Sequence, residues 1–83
     1  MPRYPFTEEQ SNKVENNFTY HAPFGNQPER YGELRERGKF LARLMLNLCP
    51  PSRELSLALT KLEEAIMWAN ASISRNEKEE TGE

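Results

Sequence analysis

The sequence predicts an all-α fold: a short N-terminal helix, then an antiparallel hairpin of two long helices. Three observations predict it. Tyr31, Leu34, Gly38, Leu41, Met45 and Leu48 recur at alternating spacings of three and four, and Leu55, Leu59, Leu62, Ile66, Ala69 and Ile73 do the same. Each run is an apolar stripe on one helix face. Between the runs lies Cys49-Pro50-Pro51-Ser52, whose prolines stop one helix and whose serine can start the next. The two stripes are therefore expected to meet in one seam.

Residues 1–25 read as an N-terminal arm. Thr7-Glu8-Glu9-Gln10 fits a capping box, with Thr7 as N-cap and Gln10 three residues on. A short helix is expected from there to about Glu15, ended by Asn16-Asn17 and anchored by Val14 alone. Phe18-Thr19-Tyr20-His21-Ala22-Pro23-Phe24-Gly25 is aromatic-rich and punctuated by Pro and Gly, which argues for an extended loop. The first long helix is expected over 26–49, with Asn26 or Gln27 ahead of Pro28. Proline suits the first turn because its missing N–H has no partner there. Glu29 complements the positive end of the helix dipole. The second long helix is expected over 52–76, with Ser52 as N-cap. Residues 77–83 contain no apolar side chain and are expected to fray. The whole chain, 1–83, reads as a single helical-hairpin domain.

A chain of 83 residues buries a small share of its surface and often depends on disulfides, a metal or partner chains. Cys49 is the single cysteine, so no intrachain disulfide forms. With one Cys and one His, no structural zinc site is expected. Self-association is the remaining aid. Both long helices carry more apolar residues than one seam uses: Phe40, Leu44 and Leu46 on the first, Leu57, Met67 and Trp68 on the second. Burying one large side chain contributes about 1.5–3 kcal/mol, so these are expected to be covered. The arm folding back is one way. Association of copies is favoured, because the arm is short and mostly polar.

The formal net charge of −2 implies no general affinity for duplex nucleic acid or anionic membrane. The apolar runs are too short to span a bilayer, and Met1 leads into Pro2-Arg3-Tyr4-Pro5 with no signal region, so a cytoplasmic chain is expected. Catalysis finds little support. There is no Asp, His21 is the one histidine, and Cys49 reads as a small residue at the hairpin turn. No glycine-rich phosphate loop and no cofactor fingerprint is present.

Anion binding finds more. Arg30, Arg35, Arg37, Lys39 and Arg43 crowd the first long helix, with Arg35, Lys39 and Arg43 four apart on one face. A solvated face with pairs such as Glu36–Lys39 is the simple explanation. The aromatics just upstream, Phe18, Tyr20 and Phe24, add a second possibility. Aromatic faces beside guanidinium groups suit a ligand with a flat base and a phosphate. A protein–protein adaptor that uses the surplus apolar face is the alternative reading.

Several segments together carry a family resemblance: Asn17-Phe18-Thr19-Tyr20-His21, Gln27-Pro28-Glu29-Arg30-Tyr31, Cys49-Pro50-Pro51-Ser52-Arg53-Glu54, and Leu59-Thr60-Lys61-Leu62-Glu63-Glu64-Ala65 running on into Met67-Trp68-Ala69-Asn70-Ala71. The chain from Phe18 to Asn76 resembles the small phage hairpin proteins that sequester cyclic-oligonucleotide signals of the CBASS and Thoeris anti-phage defences. The resemblance implies a homo-oligomer, a hexamer, that holds its ligand without cutting it in the cytoplasm of the infected bacterium. It implies cyclic dinucleotides such as cyclic GMP-AMP as partners, with cyclic trinucleotides as a second class. The family's base-stacking tyrosine and ligand-contacting lysine match Tyr20 and Arg35 here, with Phe24 and Lys39 as neighbouring candidates. Arginine in place of lysine keeps the charge and changes its geometry. The arginine of the family's trinucleotide site matches Ala71, so Arg75, one turn on, is the candidate replacement, with Asn70 beside it.

Overall fold

The computed structural model describes residues 3–79, and every regular element among them is helical. The helices are α1 (Glu8–Asn17), α2 (Gln27–Leu48) and α3 (Arg53–Asn76). The capping box forms as its residues dictate: the Gln10 amide donates to Thr7 Oγ1 at 3.0 Å, and the Thr7 amide donates to Gln10 Oε1 at 2.9 Å. α1 runs two residues past Glu15. Its last carbonyls find partners there: the Phe18 amide donates to Val14 O at 3.0 Å.

α2 begins after Asn26, and Gly25 makes the entry turn at φ 58°, where a side chain would be strained. Asn26 does not cap the helix with its side chain; its Oδ1 accepts from Arg30 Nε at 3.0 Å. The helix ends at Cys49, which is extended, as a residue ahead of Pro50 must be. Ser52 then caps α3, its Oγ accepting from the Leu55 amide at 3.1 Å.

α2 and α3 pack along the expected seam. Gly38 is buried there, and a Cβ placed on it would lie 2.8 Å from Ile66 Cγ1. A mid-helix glycine is normally unfavourable, so its place is explained by this close approach. The seam nevertheless leaves two stripe positions exposed, Leu41 at 40% within α2 and Leu48 at its end. Leu48 remains 70% exposed, because α2 stops there and Leu55, the one buried large apolar side chain among the described residues, closes that end instead.

The expectation of a frayed 77–83 segment needs correction at Glu77. Its carboxylate is held by Arg30, with Nη1 to Oε2 at 2.8 Å and Nη2 to Oε1 at 2.6 Å, and by Gln27 Nε2 at 3.1 Å. Gln27 is 2% exposed, and its Oε1 accepts from the Phe24 amide at 3.2 Å. One polar knot thus ties the arm, the start of α2 and the end of α3. Residues 80–83 of that segment lie outside the described residues.

The molecule is flat and open. Its extents are 50 × 48 × 14 Å and its radius of gyration is 17.9 Å, against roughly 12 Å for a compact chain of this length. α1 makes few contacts with the hairpin, and the arm leaves Phe40, Leu46 and Met67 exposed. None of the helices is long and apolar enough to cross a membrane.

Candidate functional site

A shallow groove lies where the arm meets the N-terminal half of α2 and the C-terminal half of α3. It has a volume of about 300 Å³ and is lined by His21, Pro23, Tyr31, Arg35, Asn70, Ala71 and Ser74. Helical geometry explains the grouping. Tyr31 and Arg35 are four apart on α2, and Asn70 and Ser74 are four apart on α3, so each pair forms a short row facing the same side.

His21 is fixed from α1. Its Nε2 donates to Asn16 O at 2.8 Å, while Asn16 Nδ2 donates to Arg75 O at 3.0 Å. Asn16 therefore docks the end of α1 on the end of α3 and sets the imidazole at the groove. Arg35 takes part in none of the ion pairs among the described residues. Among the described residues no carboxylate pairs with it, which leaves the guanidinium available to an anion. Asn70 Oδ1 is shielded from solvent and has no hydrogen-bond partner.

A second cavity, of about 530 Å³, lies beside the polar knot and is lined by Phe24, Gly25, Arg30, Glu77 and Lys78, among others. Of its two cations, Arg30 is already engaged. The hydrogen bond from Arg30, then that from Gln27, holds the Glu77 carboxyl at about 2, well below its ordinary 4.5. The hydrogen bond to Glu77 in turn raises the Arg30 pKa.

The six site residues expected from sequence fall in different places. Arg35 and Asn70 share the groove. Tyr20 sits one residue before the groove-lining His21, is 83% exposed, and does not line the groove in the single chain. Phe24 lines the other cavity. Lys39 pairs with Glu36 at 3.5 Å. Arg75 lies over the Trp68 ring, 5.7 Å from its centroid. It is five residues from Asn70, about 140° around the helix, and is not among the residues that line the Asn70 groove.

His21, Pro23, Tyr31 and Ser74 are the groove residues that the sequence did not point to, and Ala71, the position matched to the family's arginine, lines the groove as well. Tyr31 carries the heptad signal of a seam residue, and nothing in the spacing separates that from a groove wall. His21 and Cys49 lie near opposite ends of α2, so they form no catalytic pair within the chain. No cluster of metal-binding side chains occurs among the described residues.

Comparison with known protein families gives a match over most of the chain. The family model described as Acb2/Tad1, hairpin domain, matches residues 10–74. No curated protein and no solved structure matches the chain.

Proposed function

Because this chain belongs to the Acb2/Tad1 hairpin-domain family, we propose that it is a phage-encoded, non-catalytic sponge that binds cyclic dinucleotides and withholds them from CBASS-type or Thoeris-type defence. The observation that carries this reading is the uncompensated Arg35 guanidinium in a groove walled by the Tyr31 and His21 rings. A guanidinium holds a phosphate with two parallel hydrogen bonds, and flat rings offer faces to a base. The ligand is held and not cut, so it leaves unchanged when the protein unfolds. The site of action is the cytoplasm of the infected bacterium.

The working form is a homo-oligomer, a hexamer by family resemblance. The thin core supports association, as does the exposure of Phe40, Leu46, Leu48, Met67 and Trp68. Tyr20, outside the groove of its own chain, is assigned to a pocket completed by a neighbouring copy. Arg75 is the candidate cation for cyclic trinucleotides.

Isothermal titration with a panel of cyclic di- and trinucleotides tests the reading, followed by heat denaturation and recovery of the ligand. Tight binding with intact recovery is expected. Linear or hydrolysed products would overturn the sponge, and no binding to any member of the panel would remove the ligand class. The exposed apolar side chains also favour a second reading, a hairpin adaptor for another protein. That reading expects a monomer or dimer in sedimentation with no affinity for cyclic nucleotides.

A further inference from the structure

The Arg35 groove contains one atom whose hydrogen bonding is unfinished. Asn70 Oδ1 is shielded from solvent and has no donor. Such an acceptor has lost its water without gaining a replacement, which is unfavourable in a folded chain. Ala69 and Ala71 flank it on α3, and another small apolar residue at position 70 would leave no unpaired atom. Two of the groove's donors have other partners: His21 Nε2 serves Asn16 O at 2.8 Å, and the Tyr31 hydroxyl approaches Gln27 Oε1 at 3.5 Å; the Ser74 hydroxyl, one turn on from Asn70, makes no hydrogen bond to Asn70 Oδ1. Arg35, which makes no ion pair among the described residues, and Asn70, whose shielded Oδ1 has no donor, thus line one groove of about 300 Å³.

These two groups ask for different parts of one ligand. Arg35 can hold a phosphate but cannot tell one base from another. A lone carbonyl acceptor needs an N–H donor, and the exocyclic amino groups of adenine and guanine supply one. We propose that Asn70 is the base-reading residue of this groove, its side-chain oxygen accepting from the exocyclic amine of a purine whose phosphate Arg35 holds. The terminal amide torsion of asparagine is soft, so an entering donor can draw the oxygen round to meet it. A site built to pair a ligand donor rejects an analogue that lacks it, because the acceptor is then left unpaired. This assignment rests on the sponge reading and gives it a specificity.

The test is titration of the full chain with matched ligands that differ by the amine alone. Cyclic di-GMP is compared with cyclic di-IMP, and cyclic di-AMP with its analogue bearing hydrogen in place of the amine. Deleting the amine is expected to weaken binding to the wild type about tenfold in at least one pair. In Asn70→Leu, of similar size, that penalty should fall to about twofold or less. Equal affinity within both pairs for the wild type would overturn the assignment, and so would a penalty that survives unchanged in Asn70→Leu. If neither the four ligands nor the wider panel binds the wild type, the sponge reading itself falls. If all four bind alike and Arg35→Ala abolishes binding, only the role of Asn70 falls. The wild-type comparison decides even if Asn70→Leu does not fold.

Discussion

At the scale of single residues, Arg35 and Glu77 have opposite situations. Arg35 lines the groove, and its truncation removes no ion pair and no side-chain hydrogen bond among the described residues. Arg35→Ala should weaken cyclic-dinucleotide binding by about 10- to 100-fold while leaving the far-UV circular dichroism spectrum unchanged; equal affinity would take Arg35 out of the site. Tyr20→Ala should weaken binding and leave the oligomer whole, read by titration and by sedimentation. Glu77 is already engaged. Its folded-state pKa of about 2 lies below the ordinary 4.5, so the ionised form is favoured by folding. Its stabilisation is complete above about pH 4.5 and is lost as the pH falls toward 2. The Tm difference between wild type and Glu77→Gln should therefore be present at pH 6 and shrink across that window. Arg35 was legible in the sequence as one of a basic row. Glu77 was not, because its partners are 47 and 50 positions away and its own neighbourhood is a charged run. Asn70 was visible only as a neighbour of Arg75; the groove it lines depends on how α2 and α3 rotate in their seam.

At the scale of elements, the caps and the close helix crossing carry the argument. Ser52→Ala removes the oxygen that satisfies the Leu55 amide, and should destabilise the chain by about 1 kcal/mol in thermal unfolding. Gly38→Ala sets an intrinsic gain against a clash. Alanine favours a helix over glycine by about 1 kcal/mol, but its methyl would lie 2.8 Å from Ile66 Cγ1 on a stiff, branched side chain. The expected outcome is net loss of about 1–3 kcal/mol; a stabilised variant would mean that α2 and α3 separate at little cost. Thr7, Pro50, Pro51 and Ser52 made the helix boundaries readable, because caps and breakers act within one turn. Leu48 shows where such reading stops. Its spacing places it in the seam, yet a stripe position is buried only where the partner helix extends far enough to cover it.

At the scale of the whole molecule, one flat chain leaves an apolar surface that it does not cover. Phe40 is 71% exposed and Met67 56%, and the arm is tied instead to the end of α3 and the start of α2 through Asn16, His21 and Phe24. Surplus apolar positions were evident in the sequence, but how copies meet depends on surfaces that periodicity does not rank. If these residues form contacts between copies, Phe40→Glu should disperse the assembly in sedimentation and lower ligand affinity with it. Native mass spectrometry of the wild type with cyclic GMP-AMP reads assembly and occupancy together. The account predicts one discrete species of several copies carrying whole, uncleaved ligands; a single chain with no ligand attached would contradict it.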